Sequence, residues 1–161
     1  MPDRVRVQEH HTGISNEDFR AKVERIAEHS LRHLEIPAFV AQQVVVQSLV
    51  NPRRATDSRE VIARSIWHIA PDDFTPLGRA AQLLGLRLAF PQTPEAPGLF
   101  NVRIESYGLD PRALFLENVG VFGAAITLES LAQVAVNMES TYGFMQEHVL
   151  PFLARFDTVV P

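Results

Sequence analysis

Apolar residues recur along the last third of the chain in alternating steps of four and three: Leu131, Ala135, Met138, Tyr142, Met145, Val149, Phe152 and Phe156. At helical pitch they form one continuous stripe, which predicts a long C-terminal helix in need of a surface to pack on. Thr127 is read as its cap. Pro151, which lacks an N–H and clashes with the carbonyl of Glu147, is expected to end the regular helix near Leu150. Phe19, Val23, Ile26, Ala27, Leu31 and Leu34 make a second helical stripe. Ser15 with Asp18 three positions on resembles a capping box, so helix one is predicted over about 16–34. Its other face carries Arg20, Glu24, Arg25, Glu28, His29 and Arg32 and reads as solvated.

Between these helices the period changes. Residues 39–50 (FVAQQVVVQSLV) fit both periods, but five valines favour a strand. Both faces of that strand would be largely apolar, a pattern that belongs in the middle of a sheet or at an interface. Asp57 with Glu60 predicts a short helix over about 58–68 that buries Val61, Ile62, Ile66 and Trp67. Thr75-Pro76 predicts the start of another short helix carrying Leu77, Ala80, Leu83 and Leu84. From Gly85 the period becomes two: Leu86, Leu88 and Phe90 alternate until Pro91, then Phe100, Val102 and Ile104 alternate over 99–107. The Gly108-Leu109-Asp110-Pro111 turn leads into a third strand over 113–122. Three successive strands imply an antiparallel meander. The expected fold is α+β: an antiparallel sheet of about four strands, an N-terminal helix, two short middle helices, and a long C-terminal helix packed on one sheet face. Residues 1–14 read as a loose arm and 15–161 as a single domain.

Composition narrows the function classes. The chain has 161 residues, 46% of them apolar and 21% charged, the profile of one globular domain. Fifteen basic residues against nineteen acidic ones give a net charge of −4, which supplies no electrostatic reason to approach nucleic acid or anionic lipid. The polar start lacks a signal-peptide core and no window has the apolar length of a membrane span, so no membrane partner is expected and the protein is read as cytoplasmic. The absence of cysteine removes disulfides, thiolate metal sites and thiol nucleophiles. Lys22 is the only lysine beside fourteen arginines. That bias suggests a GC-rich, bacterial genome and leaves no other candidate for lysine chemistry. No cofactor-binding motif is found: Walker-type loops, GxGxxG after a strand and Gly-x-Ser-x-Gly are all missing.

Candidate chemistry is sparse. His29 and His33 have metal-clip spacing on helix one but no third ligand is evident, so no metal is expected there; His10-His11 falls in the arm and Arg53-Arg54 is too short for a nucleic-acid patch. Asp72-Asp73 and Asp110 stand beside proline in turns, where a carboxylate ordinarily accepts backbone amides, so no paired-carboxylate site is expected. His68 ends a helix, where an imidazolium suits the helix dipole. The alternation of the strands puts Arg87, Arg103 and Glu105 on the face opposite the C-terminal helix. Glu117 joins them if Leu114 and Leu116 face that helix, with Phe115, Val119 and Val121 around the charges. Helix one or a second copy of the chain is expected to cover this mixed face.

Three functions fit. The first is a self-associating, dimeric binding or adaptor module without catalytic activity, with a protein partner. The second is a binder of a small apolar or amphipathic ligand between the C-terminal helix and the sheet, lined by Met138, Tyr142 and Met145, with an arginine fixing its polar end. The third is a small-molecule enzyme using Arg103 with Glu105 or Glu117. The first is the leading expectation.

Overall fold

The computed structural model describes residues 4–10, 13–34, 36–53 and 56–156. His11 and Arg54, one of each sequence pair noted above, lie outside them. Helix α1 spans Asn16–His33, and Ser15 caps it: its Oγ accepts the Asp18 N–H at 3.0 Å while donating to the Asp18 carboxylate at 2.7 Å. The strands are β1 (Gln42–Val50), β2 (Gly85–Phe90), β3 (Leu99–Ser106) and β4 (Leu114–Phe122). They form one antiparallel sheet in the order β1-β4-β3-β2, so the predicted meander is present and β1 joins it alongside β4. The fold is α+β, as the patterning implies.

Between β1 and β2 lie α2 (Ser58–Glu60), continued by a π-wound turn over Val61–Ile66, and a 3₁₀ segment over Pro71–Leu77. The second short helix therefore precedes Gly78 instead of starting at Thr75. Gly78, at φ 73°, turns the chain away, and Leu77 and Leu83 stay exposed because no surface lies over them. His68 follows the π-wound turn at φ 57°, in the left-handed region. It closes the helix by backbone conformation, as the Ile69 N–H reaches back to the Ala63 carbonyl at 2.8 Å.

Asp57 caps α2. Its Oδ1 accepts the Arg59 N–H at 2.9 Å, and its carboxylate takes Arg59 Nε and Nη2 as well. The side-chain hydrogen bond from Arg59 is the main cause that holds the Asp57 carboxyl below its usual range, against an opposing effect of burial. A carboxylate with a lowered folded pKa stabilises the fold above its unfolded pKa, and that contribution disappears as pH falls through the folded value. Asp57→Asn is therefore expected to lose little cap strength but to abolish this pH dependence. Between about pH 5 and pH 2 the wild type should lose a few tenths of a kcal/mol relative to the variant, the pair being partly exposed. Urea midpoints at both ends of that window check it; parallel curves would contradict the assignment.

The C-terminal helix runs as α3 (Gln133–Phe144), a π-wound turn (Met145–Val149) and α4 (Leu150–Ala154). It thus passes Pro151. The π-wound turn breaks the regular i→i−4 ladder immediately before proline, and Pro151 enters as a first-turn residue of α4, where a missing N–H costs nothing. The inward line of the helix departs from the predicted stripe already within α3. Met138, Met145 and Val149 are buried as expected. Ala135, Tyr142, Phe152 and Phe156 are only half-buried, while Val134, Asn137, Thr141 and Leu153 take their places inside.

Even-numbered strand residues face the helices. Val102, Ile104, Leu114 and Leu116 pack with Val61, Ile62, Met145, Val149 and Leu153 in the main core. A second cluster joins Ala27 of α1 to Ile126, Val134 and Met138, with Val44 of β1 against it. Helix α1 consequently lies on the same side as α3. It does not cover the opposite face, as one of the two sequence expectations had it. The reason is local: the apolar stripe of α1, with Phe19, Val23 and Ala27, finds its partner on α3 and is used up there.

Polar side chains thread this interface. Asn118 Nδ2 donates to the Thr141 carbonyl at 2.8 Å, Thr141 Oγ1 donates to the Asn137 carbonyl at 2.9 Å, and Asn137 Nδ2 donates to Gln42 Oε1 at 2.8 Å. These bonds fix which residue of the helix stands over which strand, because a shift along the helix would leave buried amides unpaired. Gly120 makes the close approach possible, since Thr141 Oγ1 occupies the space of its missing side chain.

Candidate functional site

Odd-numbered residues of the strands build the other face. The pairing register arranges them in rows across β1, β4, β3 and β2: Leu49, Phe115 and Glu105 with Gly85; Gln47, Glu117, Arg103 and Arg87; Val45, Val119, Asn101 and Ala89. The structure therefore brings Arg87, Arg103, Glu105 and Glu117 together, as the alternation predicts. Period two fixes the face, and only the cross-strand register could make them neighbours.

Arg103 is the hub. Its Nε lies 3.3 Å from Glu117 Oε1, within ion-pair range but not angled for a hydrogen bond, and its Nη1 lies 3.7 Å from Glu105 Oε1. The guanidinium stacks 4.8 Å above the Phe115 ring. Glu117 is held from its other side by Gln47 Nε2, which donates to Oε2 at 2.5 Å. These contacts orient Arg103 beside Arg87, its like-charged cross-strand neighbour, with Glu117 opposite it on β4 and Glu105 two residues along its own strand. Two arginines and two glutamates, Glu105 coming from the adjacent row, leave the cluster without net charge. Each partly exposed pair contributes less than about 1 kcal/mol, so the row sets geometry more than stability.

The apolar residues on this face are unevenly covered. Phe115 and Val119, at the centre, are half-buried by their neighbours, whereas Val45 and Leu49 on β1 are 48% and 49% exposed.

The other sequence candidates lie elsewhere. Met138 and Met145 are buried in the two separate core clusters and Tyr142 is half-buried on α3, all on the helix side. The sheet stands between them and Arg87 or Arg103, so no arginine of this set can reach a ligand lodged against the three. One shallow, open groove of about 390 Å³ runs along α1 beside Lys22, Arg25 and His29, and another of about 360 Å³ lies between Ile36-Pro37 and Thr127–Glu129. Neither lies between the C-terminal helix and the sheet. The rings of His29 and His33 are 4.5 Å apart, and among the described residues no third metal-binding side chain joins them. Asp73 Oδ2 accepts the Ala70 N–H and Asp110 Oδ1 the Arg112 N–H, the turn roles their positions imply. No helix among the described residues is long and apolar enough to cross a membrane.

Sequence reasoning missed Gln47, since nothing in an isolated Gln shows that its cross-strand partner is a glutamate. It also missed the buried amides Asn118 and Asn137, because a count of apolar positions passes over polar ones. Compared with known protein families, curated proteins and solved structures, the chain matches none.

Proposed function

We propose that the protein is a non-catalytic binding module that works as a homodimer, with its sheet, not a pocket, as the docking surface. The observation behind this reading is the sheet side opposite the helices, where Val45, Leu49 and Val121 stay exposed around a cluster of two arginines and two glutamates. A second copy meeting such a surface encounters no net charge to repel it, and covering the apolar positions removes them from water. In the cell, an adaptor role with a further protein partner follows from this reading, with the cytoplasm as its compartment.

The contacts of Glu117 weigh against an acid or base role. Its oxygens are engaged by Arg103 and Gln47, the arrangement of a positioned ion pair. The test is the protein-concentration dependence of unfolding. A homodimer should show a urea midpoint that rises with each tenfold increase in protein, because mass action favours the associated native state. A midpoint that stays fixed from nanomolar to tens of micromolar would sink the reading.

A further inference from the structure

The two edges of the sheet differ in a way that singles out one of them. On one side β2 is six residues long, carries Arg87 and is followed at once by Pro91, three devices that keep an edge from pairing with another strand. On the other side β1 is nine residues long, QQVVVQSLV, with no charge, proline or glycine. Among the described residues, no backbone hydrogen bond outside the regular ladders involves 42–50, and β4 is the only strand paired with β1.

Burial along β1 tells the same story. Its residues alternate between half-buried and exposed and none is fully buried, while β4 beside it buries Leu114, Leu116, Asn118, Gly120 and Phe122. Val44, Val46 and Val50 on the helix side, and Val45 and Leu49 on the open side, are all left incompletely covered where the sheet stops. The sequence of β1 is that of a strand with neighbours on both sides, yet it has one neighbour. Local preference and position disagree here, and such disagreement in a natural chain marks a functional surface.

We infer that the edge of β1 is the seam of the homodimer: β1 of one copy pairs antiparallel with β1 of the second copy to make a continuous eight-stranded sheet. This rests on the homodimer reading and moves its join from the open sheet face to the edge of β1. A second copy, and not an unrelated strand, fits because an uncharged strand meets its own copy without repulsion in any register, and because two-fold pairing is the commonest way a chain assembles with itself. At about 3.4 Å per residue the seam is about 30 Å long. Pairing supplies the missing neighbour on both faces at once, adding valines to valines on the helix side and setting Val45, Gln47 and Leu49 beside their counterparts on the open side.

Two double variants separate this arrangement from a face-to-face one. Val45→Lys with Leu49→Lys places like charges along the seam at exposed positions. Ala89→Lys with Asn101→Lys places them on the open face away from it, also at exposed positions. By sedimentation equilibrium the first pair is expected to weaken dimerisation about a hundredfold and the second to leave it within about threefold of wild type. A dimer broken by the second pair, or unaffected by the first, overturns the seam but leaves the homodimer standing. A wild type that is monomeric throughout overturns both. Should the first variant fail to fold, hydrogen exchange on the wild type decides: alternate amides of 42–50 gain protection as protein concentration rises, whereas exchange independent of concentration rejects the seam.

Discussion

Ile104→Ala is expected to cost about 3–5 kcal/mol, read as a lower urea midpoint with little change in slope. Ile104 is 0% exposed in β3, between Leu86 on β2 and Leu116 on β4, and belongs to the core formed with Val61, Ile62, Met145 and Val149. Truncation removes three carbons from a site closed by a sheet on one side and a π-wound helical turn on the other. Neither can move inward without breaking backbone bonds, so the cavity should persist, which puts the cost in the upper part of the usual range. Set against a typical total of about 5–15 kcal/mol, that is enough to leave the variant partly unfolded at physiological temperature. A cost below about 1 kcal/mol would mean that the core is much looser than the burial of these residues implies.

Gly120→Val should be as damaging for the opposite reason. A β-carbon at residue 120 would fall far inside contact distance of Thr141 Oγ1 and would stand 3.1 Å from Phe122 and 3.2 Å from Phe100. Thr141 cannot readily turn away, because its hydroxyl donates to the Asn137 carbonyl and its own carbonyl accepts Asn118 Nδ2. The helix would have to lift off the sheet, at a cost of about 3 kcal/mol or more. The milder Gly120→Ala isolates the first of these clashes. Combined with Thr141→Ala it should be less destabilising than the two single changes added together, with a coupling of about 1–2 kcal/mol. Additive costs would show that helix and sheet do not meet through this pair.

The two predictions also mark where the sequence was legible and where it was not. Ile104 was readable as core from β3 alone, because alternation with Asn101, Arg103 and Glu105 sorts its residues into faces without knowledge of any partner. The same alternation assigned Arg87, Arg103, Glu105 and Glu117 to one side. Gly120 was not readable: it resembles a strand end until Thr141, on a helix distant in sequence, is seen to occupy its side-chain space. The C-terminal stripe was right at Met138, Met145 and Val149 and wrong at Tyr142, because the polar Thr141 and Asn137 take the inward positions of α3 through hydrogen bonds that a count of apolar residues does not show. The π-wound turn lets the chain pass Pro151. The destination of α1 was undetermined for another reason. An amphipathic stripe says that a partner exists, and which side of a sheet provides it is decided by loops and by the competing stripe of α3.

The composition of β1 marks it as a strand and leaves a choice between the centre of a sheet and an interface. The structure places it at an edge, which removes the first option. The strand with the greatest share of valine is therefore also the strand with the least protection, and the exposed apolar positions Val45 and Leu49 belong to it. That coincidence, more than the charged row beside it, connects the patterning of the chain to the proposed assembly.

Self-association is the claim on which the rest depends, and native mass spectrometry of the purified protein at micromolar concentration tests it most directly. The account predicts a species of twice the 18.0 kDa chain mass that dissociates on dilution, with nothing else carried along. A single species at the mass of one chain, unchanged up to tens of micromolar, would contradict it.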